Sequence, residues 1–193
     1  MPLDVFLALV GFSFVSSVTP GPNNIMLLTS GVNFGFRKTI PHMFGIAIGF
    51  GVLLLAVGFG LREIFLQFPV MRTVLKVLGG AYLVYLAWKI ANAGPVEAGE
   101  EGSKPMSFMA AALFQWVNPK AWAMALTTVS VYILPDQALL AGMVFAAVSL
   151  PLVSVWTVAG EAIGRLLRTP RALRCFNIAM AALLIGTMIP AFL

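Results

Sequence analysis

Two short stretches place helix breakers, amides and a cation inside runs that are otherwise apolar: Thr19-Pro20-Gly21-Pro22-Asn23-Asn24 and Asn118-Pro119-Lys120. Proline has no amide hydrogen and displaces the carbonyl four residues before it, so Pro20 frees the carbonyl of Ser16 and Pro22 that of Val18. Gly21 admits positive φ and lets the chain unwind between them. Unbonded carbonyls are too costly to face lipid and must face protein or a wet cavity. Beyond the break, Asn23 or Asn24 is expected to cap a second half-helix starting near Ile25. Its free amide hydrogens and positive dipole end attract an anion such as a carboxylate. Freed carbonyls beside a half-helix N-terminus suit an ammonium and a carboxylate together, the two charges of an amino acid.

The second stretch adds a lysine, which inside a bilayer must be paired, snorkel or meet water. Two roles are open to Lys120. One is counter-charge to a substrate carboxylate, with Met124, Thr127 and Thr128 on the same helical face lining a cavity. The other is an interfacial anchor beside Trp116 and Trp122. Ser13, Ser16 and Ser17 precede the first break at helical spacing; they either extend its polar face or bond back to their own helix. The candidate binding set is therefore Thr19, Pro20, Gly21, Pro22, Asn23, Asn24, Asn118, Pro119 and Lys120.

Other polar residues read as structural. Gly45 and Gly49 form a small-xxx-small pair suited to close helix contact, and Pro151 is expected to bend its segment. Glu161 has Arg165 one turn away and reads as an interfacial ion pair. His42 follows Pro41 at a segment boundary and reads as interfacial.

The elements that must hold these residues are membrane helices. The chain has 193 residues, is 60% hydrophobic and only 10% charged, against roughly 25% charged in soluble domains. Apolar runs fall at roughly 3–32, 40–60, 69–91, 106–134, 138–160 and 173–192, and about 20 residues cross the ~30 Å hydrocarbon layer. The first and fourth runs exceed a straight crossing, and each holds a proline near its middle. The fold class is all-α, a single transmembrane domain over 1–193 with six helices, the first and fourth broken by proline. The first run is retained as a helix, since it carries Asp4 with no Lys or Arg and no A-x-A cleavage site.

A polar loop over 92–105, rich in Gly, Pro and Glu, divides repeat one (1–91) from repeat two (106–193). Across it the pattern recurs at an offset of about 100: Pro20 with Pro119, Pro69 with Pro170, and Gly60 with Gly160, which close the second and fifth runs. Three crossings per half make the halves inverted relative to each other, the pattern of secondary transporters with interrupted helices. Arg37, Lys38, Lys89, Lys104, Arg165, Arg168, Arg171 and Arg174 fall on one face, and Arg62, Arg72 and Lys76 on the other. The positive-inside rule puts the first face in the cytoplasm and both termini outside.

Several functions are disfavoured by residues that are missing. The lone Cys175 gives no pair for an intramembrane redox relay, and the lone His42 lacks a nucleophilic partner for a protease. No Cys/His/carboxylate cluster has metal-ligand spacing, and no cofactor motif or P-loop is present. The pI near 9.8 reflects basic residues scattered in short loops rather than a nucleic-acid surface. A non-transporting membrane subunit stays open beside the carrier.

The motifs TPGPNN, GFR at 35–37, GGAYLVYLAWKIA at 79–91 and NPKAW at 118–122 resemble the LysE-type amino-acid exporters along essentially the whole chain. TPGPNNI, AWKIA, KPMSF at 104–108 and ILPDQ at 133–137 are most similar to the cysteine/O-acetylserine exporter branch. The resemblance implies a bacterial inner-membrane carrier, not an enzyme, that expels amino acids or close derivatives on the proton gradient and forms a homodimer. The chain departs from the family where AMALTTVSVYILPDQ replaces an aromatic-rich run ending in Leu-Pro-Gln-Phe, and from the branch in keeping Pro119. Those departures leave cysteine, O-acetylserine, threonine and homoserine all open as substrates.

Overall fold

The computed structural model describes residues 1–61, 63, 67–68, 70–93, 104–167 and 169–189. Pro69, Arg62, Arg168, most of the dividing loop (94–103) and the end of the sixth run (190–193) lie outside them, as does the side chain of Arg72.

The described residues are helical, with no strands among them. In chain order the helices are α1 (Leu3–Val18), α2 (Pro22–Phe34), α3 (Phe36–Ala56), α4 (Val70–Ala91), α5 (Phe108–Phe114), α6 (Pro119–Thr127), α7 (Ala138–Leu166) and α8 (Pro170–Gly186). Three stretches are long and apolar enough to cross a membrane: Phe36–Leu61, Thr73–Ala91 and Ala138–Leu166. A fourth arises if α1 and α2, bent by 53° at their break, form one span. The chain leaves α2 and α3 through glycines at positive φ, Gly35 at 78° and Gly60 at 109°. Only glycine adopts that backbone readily.

Large apolar side chains point outward as well as inward. Phe44, Ile48 and Val52 on α3, Val74, Val77 and Trp88 on α4, and Met143, Val155 and Val158 on α7 are exposed. Contiguous outward apolar faces of this kind suit lipid, where helices associate through close packing rather than apolar burial. The packing is accordingly built on small residues. α7 lies at the centre against α1, α2 and α3, and α4 pairs with α8. Gly31 and Gly160 bring α2 and α7 into backbone contact, and Gly45 and Gly49 receive Phe108 and Ala112 of α5.

Gly160 therefore does not close the fifth run as the sequence suggested. α7 continues through it to Leu166, because an α-helix tolerates glycine where a neighbouring backbone fills the space of the absent side chain. The second run also starts earlier than expected, at Phe36, so Pro41 and His42 lie within α3 rather than at its edge. At the far end of the bundle Glu161 pairs with Arg165 at 2.6 Å, and its other oxygen accepts the Phe36 N–H at 2.8 Å. It thus ties α7 to the start of α3.

Asn33 and Asn177 exchange amide hydrogen bonds of 2.9 and 3.1 Å between α2 and α8, and Asn177 also donates to the Ala93 carbonyl. Interhelical bonds of this type contribute about 0.6–2 kcal/mol in membranes. Asn177→Ala is expected to lower stability within that range, measured by SDS-driven unfolding in mixed micelles. An unchanged midpoint would mean the pair holds nothing together.

Candidate functional site

The first break forms because Pro22 sits at the first position of α2, where its fixed φ suits helix entry and its missing N–H is not needed. Helix α2 therefore begins at Pro22, three residues before Ile25, with Gly21 as its flanking residue and no side-chain cap. This corrects the expectation that Asn23 or Asn24 caps it, since both already lie inside its first turn. Asn24 points backward instead: its Nδ2 donates to the carbonyls of Ser17 and Thr19, each at 2.9 Å, and so satisfies the end of α1. Gly21 itself is extended, with φ −175°, so positive φ is not why glycine is needed. A Cβ on Gly21 would lie 2.8 Å from Lys120 Cδ, so the lysine stem would have to shift to admit one.

The second break is capped conventionally. Asn118 Oδ1 accepts the Lys120 N–H at 3.1 Å, and Pro119 opens α6. The fold then brings the breaks together. Lys120 Nζ donates to the Thr19 carbonyl at 2.6 Å. Asn23 Nδ2 donates to Gln115 Oε1 at 2.9 Å, and Gln115 Nε2 returns a bond to Asn23 Oδ1 at 3.2 Å. Gln115 also donates to the Ala111 carbonyl at 2.9 Å and accepts from Asn118 Nδ2 at 3.4 Å.

Gln115 is fully buried and was not among the residues read from the sequence. Its signal was legible, as a lone amide in an apolar run three residues before Asn118.

These groups surround a cavity of about 50 Å³ lined by Ser16, Ser17, Gly21, Asn23, Asn24, Gln115, Asn118 and Lys120, with Phe50, Met124 and Phe145 among its apolar walls. Its size is several times the ~10–15 Å³ that one water needs. Thr19 and Pro20 stay exposed, and Thr19 contributes its carbonyl rather than its side chain. Pro22 and Pro119 act by starting helices. Thr127 and Thr128 do not line the cavity as expected; the Thr128 hydroxyl bonds back to the Met124 carbonyl. Ser13 likewise bonds back to Leu9 at 2.7 Å.

The site's electrostatics favour an anion. The Asn23 and Asn24 N–H groups lie at the N-terminus of α2, whose side-chain cap is absent. The dipoles of α2 and α6 and the Lys120 ammonium all present positive charge to one space, and none of its described lining residues is a carboxylate. The Lys120 side chain lies over the first break, and Trp122 donates to the Trp116 carbonyl at 2.8 Å.

His42 is also placed differently from the expectation. It is 1% exposed, deep among α3 and its neighbours, because α3 begins early enough to carry it inside the bundle.

Comparison with known proteins gives one family and a set of close relatives. The family described as LysE type translocator matches residues 14–189. The chain is 34% identical over 94% of both sequences to the cysteine/O-acetylserine efflux protein of Escherichia coli O139:H28 (strain E24377A / ETEC). It is 33% identical, over the same share of each, to the proteins of that name from Escherichia coli (strain K12) and Shigella flexneri serotype 5b (strain 8401). No solved structure matches it.

Proposed function

This chain belongs to the LysE type translocator family, and from that premise we propose that it is a secondary exporter of small amino acids or their close derivatives. It works by alternating access in the inner membrane, coupled to protons, with both termini periplasmic. Six crossings in two inverted halves, 1–91 and 106–193, carry the breaks at corresponding positions, and one half rocks against the other. The chain acts as a homodimer.

The observation that carries this reading is the convergence of Lys120 and the uncapped N-terminus of α2 on one small cavity. An α-carboxylate is received by the amide hydrogens of Asn23 and Asn24 and by Lys120. As Lys120 turns toward the carboxylate it releases the Thr19 carbonyl, which then accepts the substrate's ammonium. The reciprocal amide pair Asn23–Gln115 joins the halves and is the contact that must loosen as access alternates. Cysteine and O-acetylserine, the compounds in the relatives' names, are the first substrates to test, followed by threonine and homoserine.

The test is counterflow in proteoliposomes across those four compounds, with leucine, lysine and arginine as contrasts. At least one small neutral amino acid is expected to exchange, and to accumulate against its gradient when a pH difference is imposed. Asn23→Ala is expected to abolish exchange with normal membrane insertion. If none of the panel moves under the pH gradient, the exporter reading fails.

A further inference from the structure

A larger space, about 420 Å³, lies further along α2 from the first cavity, between α2, α3, α4 and the start of α5. It opens beside two exposed lysines, Lys89 and Lys104, and its wall carries His42. Among the described residues neither ring nitrogen of His42 has a hydrogen-bond partner, although the side chain is completely enclosed. A neutral imidazole presents one donor and one acceptor, and buried polar atoms are rarely left unmatched.

The neighbouring polar groups are already engaged. Thr29 donates to the Ile25 carbonyl, and Asn33 is held by Thr29 and Asn177. Thr39 gives its hydrogen to the Gly35 carbonyl, so in the Ser30–Thr39 contact of 2.8 Å Ser30 is the donor. The wall's open capacity includes the Ser30 and Thr29 oxygen lone pairs and the His42 nitrogens, beside the hydroxyls of Tyr82, Tyr85 and Ser107. Among the described residues, the titratable groups facing the space are His42 from α3, Tyr82, Tyr85 and Lys89 from α4, and Lys104 before α5. No carboxylate is among its described lining residues.

We propose that this space is a second amino-acid site, a vestibule that loads the breaks. A zwitterion lies there with its carboxylate toward Lys89 and Lys104 and its amino group toward the acceptor nitrogen of His42 and the Ser30 oxygen. The chemistry matches end for end, as cationic side chains at the mouth and neutral acceptors on the wall select a ligand bearing both charges. Thr29, Ser30 and Asn33 lie on the same helix as Asn23 and Asn24, so one helix lines both the vestibule and the break. The inference rests on the export reading but involves none of the residues assigned to the first site.

His42 is the only histidine in the chain, so protein labelled with 13C/15N-histidine and purified without an oligohistidine tag gives a single imidazole signal. Titrating O-acetyl-L-serine into such protein in phosphatidylcholine nanodiscs is expected to shift that signal saturably. The shift is expected to persist in Asn23→Ala and to weaken at least tenfold in apparent affinity in Lys89→Met/Lys104→Met. An imidazole signal that stays still at concentrations where wild-type proteoliposomes exchange the same compound would overturn the vestibule and leave export standing. A signal that follows added phosphatidylglycerol instead of the amino acid would also overturn it, assigning the lysines to lipid headgroups. A saturable shift together with failed counterflow would keep the site and count against the exporter.

Discussion

Lys120→Met is expected to leave insertion and folding intact while slowing amino-acid counterflow roughly 10- to 100-fold. The estimate follows from hydrogen bonds to charged groups, worth about 1.5–3 kcal/mol each, with 1.4 kcal/mol per tenfold change. Methionine keeps most of the stem's volume over Gly21, so the packing of the two breaks there is largely preserved. What disappears is the ammonium that joins Thr19 to the second break. Lys120→Arg keeps the charge but brings a wider, planar group into the same narrow space, and is expected to recover only part of the rate. Michaelis parameters from counterflow decide the matter. A methionine variant with unchanged affinity and rate would remove Lys120 from substrate binding altogether.

The second large effect is expected from one methyl group. On an exposed helix glycine to alanine gains about 0.8–1.0 kcal/mol of helix propensity, so any loss must come from packing. At Gly160 a Cβ would run into the Leu28 carbonyl, with the Leu28 carbon at 3.0 Å and the Gly31 Cα at 3.1 Å. Those atoms are backbone and cannot swing aside. Gly160→Ala is expected to destabilise the bundle by roughly 1–3 kcal/mol, the usual range for overpacking. Gly142 lies on the same helix, and its Cβ would first meet Gly51 at an ordinary 3.7 Å, so Gly142→Ala is expected to be neutral or mildly stabilising. SDS titration in mixed micelles compares the two directly. Equal midpoints would show that α2 and α7 part easily at this contact.

Much of the site was legible because its residues break rules. Prolines, amides and a lysine inside apolar runs have few explanations in a bilayer, and both interruptions lie where the residues place them. The details that escaped are those in which a side chain chooses between partners. Asn24 has the chemistry to cap the helix ahead of it or the one behind it; Pro22, by starting α2 early, settles the choice for the one behind. The sequence reading leaves Gln115 unassigned, although its amide stands out in an apolar run, and sets His42 at an interface. The burial of both depends on which helix faces which, and the local sequence does not contain that information. Gly160 was read as a terminator because its contact, Leu28, lies more than a hundred residues earlier.

The amide pair Asn23–Gln115 spans 92 residues, and that distance imposes an order of events during synthesis. At about 5–20 residues per second, the ribosome needs roughly 5–20 s after making Asn23 to deliver its partner. Until Gln115 has been made, the Asn23 side chain lacks the amide that it pairs with in the folded chain. A nascent chain of this kind presents, to whatever machinery inspects membrane insertion, a polar flaw that only its own second half can repair.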